Sequence, residues 1–326
     1  MPNVVCFGEA LIDFLADPGT GSGGPQKFAR YAGGAPANVA VAVARLGTPS
    51  AFVGMLGRDM FGDFLLQSLN AAGVSTDYVV RTDEANTALA FVSLDDHGER
   101  QFSFYRPPAA DLLFRSHDFT DACFADAAIF HVCSNSLTQA DIADTTLEGM
   151  RRARTAGALV SFDMNLRLNL WPTHTDPRPG IWRALREAEL VKLSASELSF
   201  LAESLGGEKA VFKELWRGRT RWVWVTNGAE PIKHFTRTTQ GELPAFEVQV
   251  VNTTAAGDAF VGGMLSWLLR ENVTQENLEN LLADDARLRS ALRFAAACGA
   301  LAVTRHGAFE SMPSLAEVNK FLQEQA

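Results

Sequence analysis

Val250-Val-Asn-Thr-Thr-Ala-Ala-Gly-Asp-Ala-Phe-Val-Gly-Gly-Met264 is the stretch on which the reading of this chain turns. A strand ends near Val251, small residues make a turn, and a helix opens around Gly257. Phe260, Met264, Trp267 and Leu268 fall at i, i+4, i+7 and i+8, so one face of that helix is buried. The backbone N–H groups of Ala255, Ala256 and Gly257 then point outward from its N-terminus, where free donors and the helix dipole together attract an anion. Side chains this small let a phosphate approach the backbone. Asp258, in the first turn, has two readings. It caps the helix, or, beside an anion hole, it accepts a proton from an attacking hydroxyl.

Outward from this turn, short apolar runs alternate with helix-period segments. Strands are predicted at residues 4–8, 51–54, 127–132, 158–163, 190–193 and 222–226. Helices are predicted at 38–46, 61–72, 137–156, 181–188, 197–205 and 257–270. Such alternation argues for an α/β fold with a mostly parallel sheet covered on both faces. Ligands of these sheets collect at the carboxyl ends of the strands. Two regions break the pattern: 87–94 and 99–105 around the turn-like Asp95-Asp96-His97-Gly98, and the extended, Gly-rich stretch 14–31. They are expected to form a small β flap beside the core. The 326 residues then make one large domain with a lid at about 14–32 and 87–107 rather than two domains of similar weight.

Composition removes several classes. Apolar residues are 47% of the chain and charged residues 21%, values of a compact globular protein rather than a disordered one. A net charge of −9 lacks the footprint of a general nucleic-acid binder, yet a few local donors still hold an anion inside an acidic protein. The N-terminus carries no basic leader, and the longest apolar runs, 259–269 and 294–303, are too short to span a bilayer. Cys6, Cys123, Cys133 and Cys298 form no C-x-x-C pair and read as buried free thiols. The expectation is a cytoplasmic protein without membrane or nucleic-acid partners. Gly19 to Gly24 match G-x-G-x-x-G, but Pro18 and Pro25 bracket them and no helix follows, so they read as a loop. No Walker loop, zinc-ligand cluster or G-x-S-x-G element is present.

Gly33-Gly34-Ala35-Pro36-Ala37-Asn38 precedes an Ala/Val-rich helix ending at Leu46-Gly47. Asn38 there either caps the helix or binds a hydroxyl. This element, followed some 200 residues later by Thr253-x-Ala255-Ala256-Gly257-Asp258, resembles the two signatures of the ribokinase-like (PfkB-type) carbohydrate kinases. Gly8-Glu-Ala-Leu-Ile-Asp13, Phe104-Tyr-Arg106 with Ala109-Ala-Asp111, Ser161-Phe-Asp-x-Asn165-Leu-Arg167 with Leu170-Trp171, and Lys192-Leu-Ser194-x-x-Glu197 resemble its fructokinase branch. The likeness covers nearly the whole chain. It implies a ribokinase-like fold: a Rossmann-like three-layer core with a mostly parallel central sheet and a small β-sheet lid. It also implies transfer of the γ-phosphoryl group of ATP to a sugar hydroxyl, with fructose to fructose 6-phosphate as the expected reaction.

The same resemblance implies roles. Asp258 would be the base, with Ala255, Ala256 and Gly257 as the anion hole. Asp13, Gly33, Gly34 and Asn38 would hold sugar hydroxyls; Arg106 would reach down from the lid, and Arg167 would touch sugar or transferring phosphate. Asn165, Lys192, Ser194, Thr226, Gly228 and Gly257 would serve the nucleotide. Glu197 would organise Mg2+ and its waters, against the plainer reading of a solvated helix glutamate. Three departures stand out. Asn252 replaces the first aspartate of the family's D-T-x-[GA]-A-G-D pattern, which weakens a K+ site formed with carbonyls near Ala302, Arg305 and Gly307. Ser194 replaces the usual asparagine of N-x-x-E, and Pro231 stands where the nucleotide turn, with Thr226 and Gly228, usually has glycine. The rival readings are a 2-keto-3-deoxygluconate kinase on the same fold and a non-catalytic sensor on a kinase scaffold. The Ala109-Ala110-Asp111 run and Asp13 favour a neutral sugar. Open edges of the lid strands predict a homodimer through the lid.

Overall fold

The computed structural model describes residues 3–16, 27–94 and 100–325. The first third of the chain contributes β1 (Asn3–Phe7), β2 (Leu11–Ala16), β3 (Phe28–Gly33), α1 (Ala35–Arg45), β4 (Ser50–Gly57), α2 (Met60–Ala71), β5 (Ser75–Thr82), β6 (Leu89–Leu94) and β7 (Arg100–Tyr105). The middle contributes α3 (Ala122–Ala125), β8 (Ala127–Cys133), α4 (Ala140–Thr155), β9 (Leu159–Asp163), α5 (Arg178–Leu185), β10 (Leu190–Ser194), α6 (Ala195–Leu205) and α7 (Glu208–Leu215). β11 (Trp222–Asn227), β12 (Glu230–Thr236), β13 (Gln240–Leu243), α8 (Ala256–Arg270), α9 (Leu278–Leu282), α10 (Asp285–Ala302) and α11 (Leu315–Glu324) complete the order.

The larger sheet runs β13-β12-β11-β10-β9-β8-β1-β4-β5. Its pairings are parallel from β5 across to β11, and β12 and β13 close one edge in antiparallel fashion. Successive side chains on a strand take opposite faces, and here both faces are covered. Val4 and Cys6 join one apolar cluster with residues of α1, α8 and α10, while Val5 and Phe7 join another with residues of α4 and α5. Strands buried on two faces must be apolar throughout, which is why β4 and β9 are buried along their whole length. This is the three-layer, ribokinase-like α/β architecture.

A smaller sheet, β3-β2-β6-β7, stands apart from the first. Phe14, Phe28 and Tyr105 surround Phe91 on it, with ring centroids 5.0, 5.4 and 5.3 Å from that ring. These strands coincide with the expected flap. The G-x-G-x-x-G run Gly19 to Gly24 and the turn Asp95 to Gly98 lie outside the described residues.

Each predicted core strand and helix is present, with ends displaced by one to three residues in most cases. β4 runs to Gly57, and the predicted helix at 137–156 begins instead with a 3-10 turn over Ser134–Leu137 before α4. β5, β12, β13, α3, α7, α9, α10 and α11 are not among the predicted elements. Pro231 has the effect its chemistry requires. It offers no ladder donor, and the β11–β12 register slips opposite it, between Val225 and Asn227. All four cysteines are buried and free, and among the described residues no helix is long and apolar enough to cross a membrane.

One packing detail positions the site. α8 lies between α1 and α10, and a Cβ on Gly262 would run into Ala42 of α1 while one on Gly263 would run into Cys298 of α10. The Gly-Gly step lets three helices approach closely, and this sets the N-terminus of α8 at the carboxyl edge of the sheet.

Candidate active site

Ala255 is the residue from which α8 starts, with φ at 59° and no side-chain cap. The first-turn amides of a helix have no intrahelical acceptor, and Ala256 N reaches only a long 3.4 Å contact with Thr253 O. Ala255, Ala256 and Gly257 line the cavity, and their small side chains leave the backbone open to it. A left-handed conformation costs an L-residue about 1–2 kcal/mol, whereas glycine loses more chain entropy on folding, roughly 0.5–1 kcal/mol. Ala255→Gly should therefore raise stability by about 0.5–1 kcal/mol, measured as the shift in urea midpoint at unchanged slope.

Asp258 does not cap its helix. Its Oδ2 accepts Asn38 Nδ2 at 2.7 Å and its Oδ1 accepts Asn165 Nδ2 at 3.1 Å. Asn38 likewise is no cap, because Gly34 holds that position in α1 with φ at 105°. The two amides, one from each neighbouring element, fix the carboxylate's plane. Burial raises the Asp258 pKa, against the lowering effects of the Asn38 hydrogen bond, Lys192, Arg167 and the Asn165 hydrogen bond. A more basic carboxylate is the better proton acceptor.

Asp258 opens into a cavity of about 940 Å³ that also receives Asp13, Gly34, Asn38, Asn165, Arg167, Lys192, Ser194, Glu197 and the turn Ala255, Ala256 and Gly257. Asp13 and Glu9 both line it. Burial pushes the Asp13 pKa up to about 7, with Asp258 adding to the rise and Arg167 opposing it. Lys192 Nζ lies 3.1 Å from Asp163 Oδ1, both side chains nearly fully buried. Burial alone pulls the Lys192 pKa down, but Asp163, Glu197 and Asp258 outweigh it and the ammonium is held charged. Lys192 also closes on Gly257, where a Cβ would stand 3.1 Å from its Nζ.

Glu197 is not a solvated glutamate. Its Oε2 accepts Ser194 N at 2.6 Å while Ser194 Oγ accepts Glu197 N at 3.2 Å, a capping box that starts α6. Its Oε1 accepts Leu166 N at 2.8 Å. No group of three or more His, Cys, Asp or Glu suited to a metal occurs among the described residues. A hard cation that keeps its waters and binds through substrate phosphates needs only one or two carboxylates, and Glu197 beside the open α8 amides fits that requirement.

Four sequence-derived site residues do not line this cavity. Gly33 lies behind it, where a Cβ would strike the Asp13 carboxylate, so its absence of side chain makes room for Asp13. Thr226 and Gly228 sit at the end of β11 beside Ser194, outside the cavity wall. Arg106 is 1% exposed. Its Nε and Nη2 both donate to Asp111 Oδ2, at 2.9 and 2.6 Å, and its Nη1 donates to Asn135 O at 2.8 Å. In this conformation Arg106 is held inside the wall rather than reaching down into the cavity. Asp111 neutralises Arg106 instead of facing a ligand. Asn252 is buried and spends its Oδ1 on Thr254 N at 2.8 Å.

The cavity also contains residues that the sequence reading missed. Glu9 is fully buried, with burial raising its pKa, and its Oε1 accepts Asn135 Nδ2 at 2.8 Å and Ala35 N at 3.2 Å. Phe104 and Leu166 line the same space. The carbonyl oxygens Asn38 Oδ1 and Asn135 Oδ1 are buried without a partner. Buried acceptors of this kind require a donor, and hydroxyl groups supply one. Glu9 carried one signal, its place directly after the first core strand, where ligands gather.

Comparison with known proteins gives concordant results. The profile described as "pfkB family carbohydrate kinase" matches residues 1–315. Fructokinase-1 of Oryza sativa subsp. japonica is 42% identical over 98% of this chain and 97% of its own length. The crystal structure of a fructokinase with bound ATP from Xylella fastidiosa superimposes with a TM-score of 0.96 at 57% identity, covering 99% of this chain and 98% of that one. A fructokinase from Vibrio cholerae O395, crystallised in a fructose-, ADP- and calcium-bound form, aligns at 34% identity with a TM-score of 0.84 over 99% of both chains.

Proposed function

The chain belongs to the pfkB family of carbohydrate kinases, and from this premise we propose that it transfers the γ-phosphoryl group of ATP to the 6-hydroxyl of D-fructose. The observation that carries the reading is Asp258, a buried carboxylate oriented by Asn38 and Asn165 at the mouth of an uncapped helix N-terminus. Likeness to fructokinases along the full chain supports the sugar.

A mechanism follows from the side chains. Fructose lies against Glu9, Asp13, Asn38 and Asn135, whose carboxylates and unpartnered carbonyl oxygens accept from its hydroxyls. Asp258 takes the proton of the 6-hydroxyl as its oxygen forms a bond to the γ-phosphorus of ATP and the bond from that phosphorus to the β,γ-bridging oxygen breaks. Such a transition state needs alignment and charge stabilisation more than covalent help. The amides at 255–257 and the Lys192 ammonium face the developing phosphate charge. Glu197 would hold a Mg2+ ion through its waters, and the ion would supply positive charge to the triphosphate. Ser194, Asn165, Thr226 and Gly228 serve the nucleotide, and Arg167 serves sugar or transferring phosphate. K+ is a weak activator on this account, since Asn252 offers no negative charge. Carboxylates at the sugar end disfavour 2-keto-3-deoxygluconate.

We assign 14–32 and 87–107 to a lid on a single domain. The half-exposed Phe28 and the exposed Tyr105 beside Phe91 suit burial against the lid of a second copy in a homodimer. No bulk positive charge supports a nucleic-acid partner, and the reaction belongs in the cytoplasm, where ATP is abundant. An ADP-release assay with Mg-ATP and a panel of fructose, ribose, mannose, 2-keto-3-deoxygluconate and nucleosides tests the substrate. The expected result is a kcat/KM for fructose at least about tenfold above any other, one 1.4 kcal/mol step in transition-state binding. Equal or better use of another acceptor would overturn the assignment.

Asp13 yields a pH prediction. Its folded pKa of about 7 lies above the ordinary value of 3.8. The stability it contributes is full below the unfolded value and is lost as pH rises through about 7. The ligand-free enzyme should melt at a higher temperature at pH 6 than at pH 8, and Asp13→Asn should flatten that slope. The variant should be more stable than wild type at pH 8 by on the order of 1–3 kcal/mol, with its KM for fructose raised at least about tenfold. Thermal scans at both pH values, paired with steady-state kinetics, check both halves.

A further inference from the structure

At the opposite edge of the large sheet from Asp258, before β10 and β11, a second cavity of about 480 Å³ is walled by Arg154, Arg219, Arg221 and Arg237. That size is within the range of small-molecule sites, and four guanidinium groups around one space are unusual in a chain of net charge −9. Their carboxylate partners do not balance them. Arg154 pairs with Glu187 at 2.7 Å, and Arg219 shares that glutamate at 3.6 Å. Arg221 pairs with Glu279 at 2.7 Å. Glu189 also lines the cavity; one of its oxygens accepts Val160 N at 2.9 Å, and it lies close enough to Arg154 and Arg219 to feel both charges. Arg237 has only carbonyl acceptors, Thr220 O at 3.4 Å and Gly218 O at 3.2 Å, and no ion pair with a carboxylate of the described residues. Arg154 and Arg221 are mostly withdrawn from water, with side chains 15% and 18% exposed, so they are screened less than surface charges. The planar guanidinium fork is matched to phosphate oxygens.

We propose that this arginine cavity is a second anion site that binds a small phosphate monoester. Arg237 supplies the charge left unbalanced, Arg219 adds an exposed guanidinium at the rim, and Arg154 and Arg221 form the fixed back wall. The space exceeds that of a bare phosphate, so an ester binds at least as tightly as the free ion. The site shares no lining residue with the catalytic cavity, and its occupancy is independent of the sugar that the enzyme uses.

Titration calorimetry tests it on the full chain, with the catalytic cavity kept saturated by Mg2+ and a non-hydrolysable ATP analogue, at fixed ionic strength. The probes are inorganic phosphate and glycerol 3-phosphate. One saturable site per chain is expected, with glycerol 3-phosphate bound at least as tightly as phosphate. Arg237→Gln and Arg219→Gln, both at the surface, should each weaken it roughly tenfold, with kcat and KM for ATP and fructose unchanged. Absence of saturable binding, equal affinity in wild type and both variants, or an equal response to chloride would overturn the proposal.

Discussion

Asp258→Asn is expected to lower kcat by roughly 10²- to 10⁴-fold, the usual contribution of a positioned general base, while KM for ATP and fructose moves by no more than about threefold, well under the 1.4 kcal/mol of a tenfold change. The size of the effect follows from what asparagine keeps and what it removes. It keeps the volume beside Asn38 and Asn165, so the site does not collapse into a void. It removes a carboxylate that two side-chain amides hold at the mouth of the uncapped α8 N-terminus, and an amide cannot take the hydroxyl proton. A capping or purely structural Asp258 would give a different pattern. Activity would then stay near that of wild type, because asparagine caps a helix about as well as aspartate. Turnover near that of wild type, measured by ADP release with both substrates saturating, would remove Asp258 from the mechanism.

The second large effect belongs to Lys192. Its ammonium is buried beside Asp163, with Glu197 and Asp258 close enough to raise its pKa. Lys192→Met should destabilise the protein by about 3–5 kcal/mol, the usual result of leaving one member of a buried ion pair alone. It should also lower kcat by roughly 10²-fold or more through loss of a charge facing the phosphates. The two losses separate in a double variant. Adding Asp163→Asn removes the stranded carboxylate, so stability should recover by most of the lost amount. Activity should stay low, since nothing restores the cation. Recovery of both together would make Lys192 a structural counter-ion only.

Much of this site was legible because its chemistry is local in sequence. The turn before α8, the glycines before α1 and the small residues at 255–257 carry their geometry in a few consecutive positions. Asp258 and Asn38 are each ambiguous alone; the caps of their helices fall on Ala255 and Gly34, and a 2.7 Å bond across 220 residues of chain joins the two side chains. Glu197 is both: Ser194-x-x-Glu197 is a capping-box pattern, and the same carboxylate lines the cavity. Arg106 shows the limit of motif reading. A motif gives residue type but not which side of a wall the side chain takes, and Asp111, five residues on, draws it inward. Asn135 gave no signal, being a polar residue in a turn whose burial depends on elements far away. Among the elements, β12 and β13 form the antiparallel edge of the sheet and are partly exposed, so their composition lacks the apolar run that marks β9 or β10.

The central claim, phosphoryl transfer from ATP to the 6-hydroxyl of fructose, meets its most direct test in the identity of the product. The enzyme, Mg-ATP and uniformly 13C-labelled fructose are incubated together, and carbon–phosphorus coupling is read by NMR. The expected product is one phosphate ester with coupling at C6 and C5, formed in step with ADP. Coupling at C1 and C2, or ADP formed without any sugar ester, would contradict it.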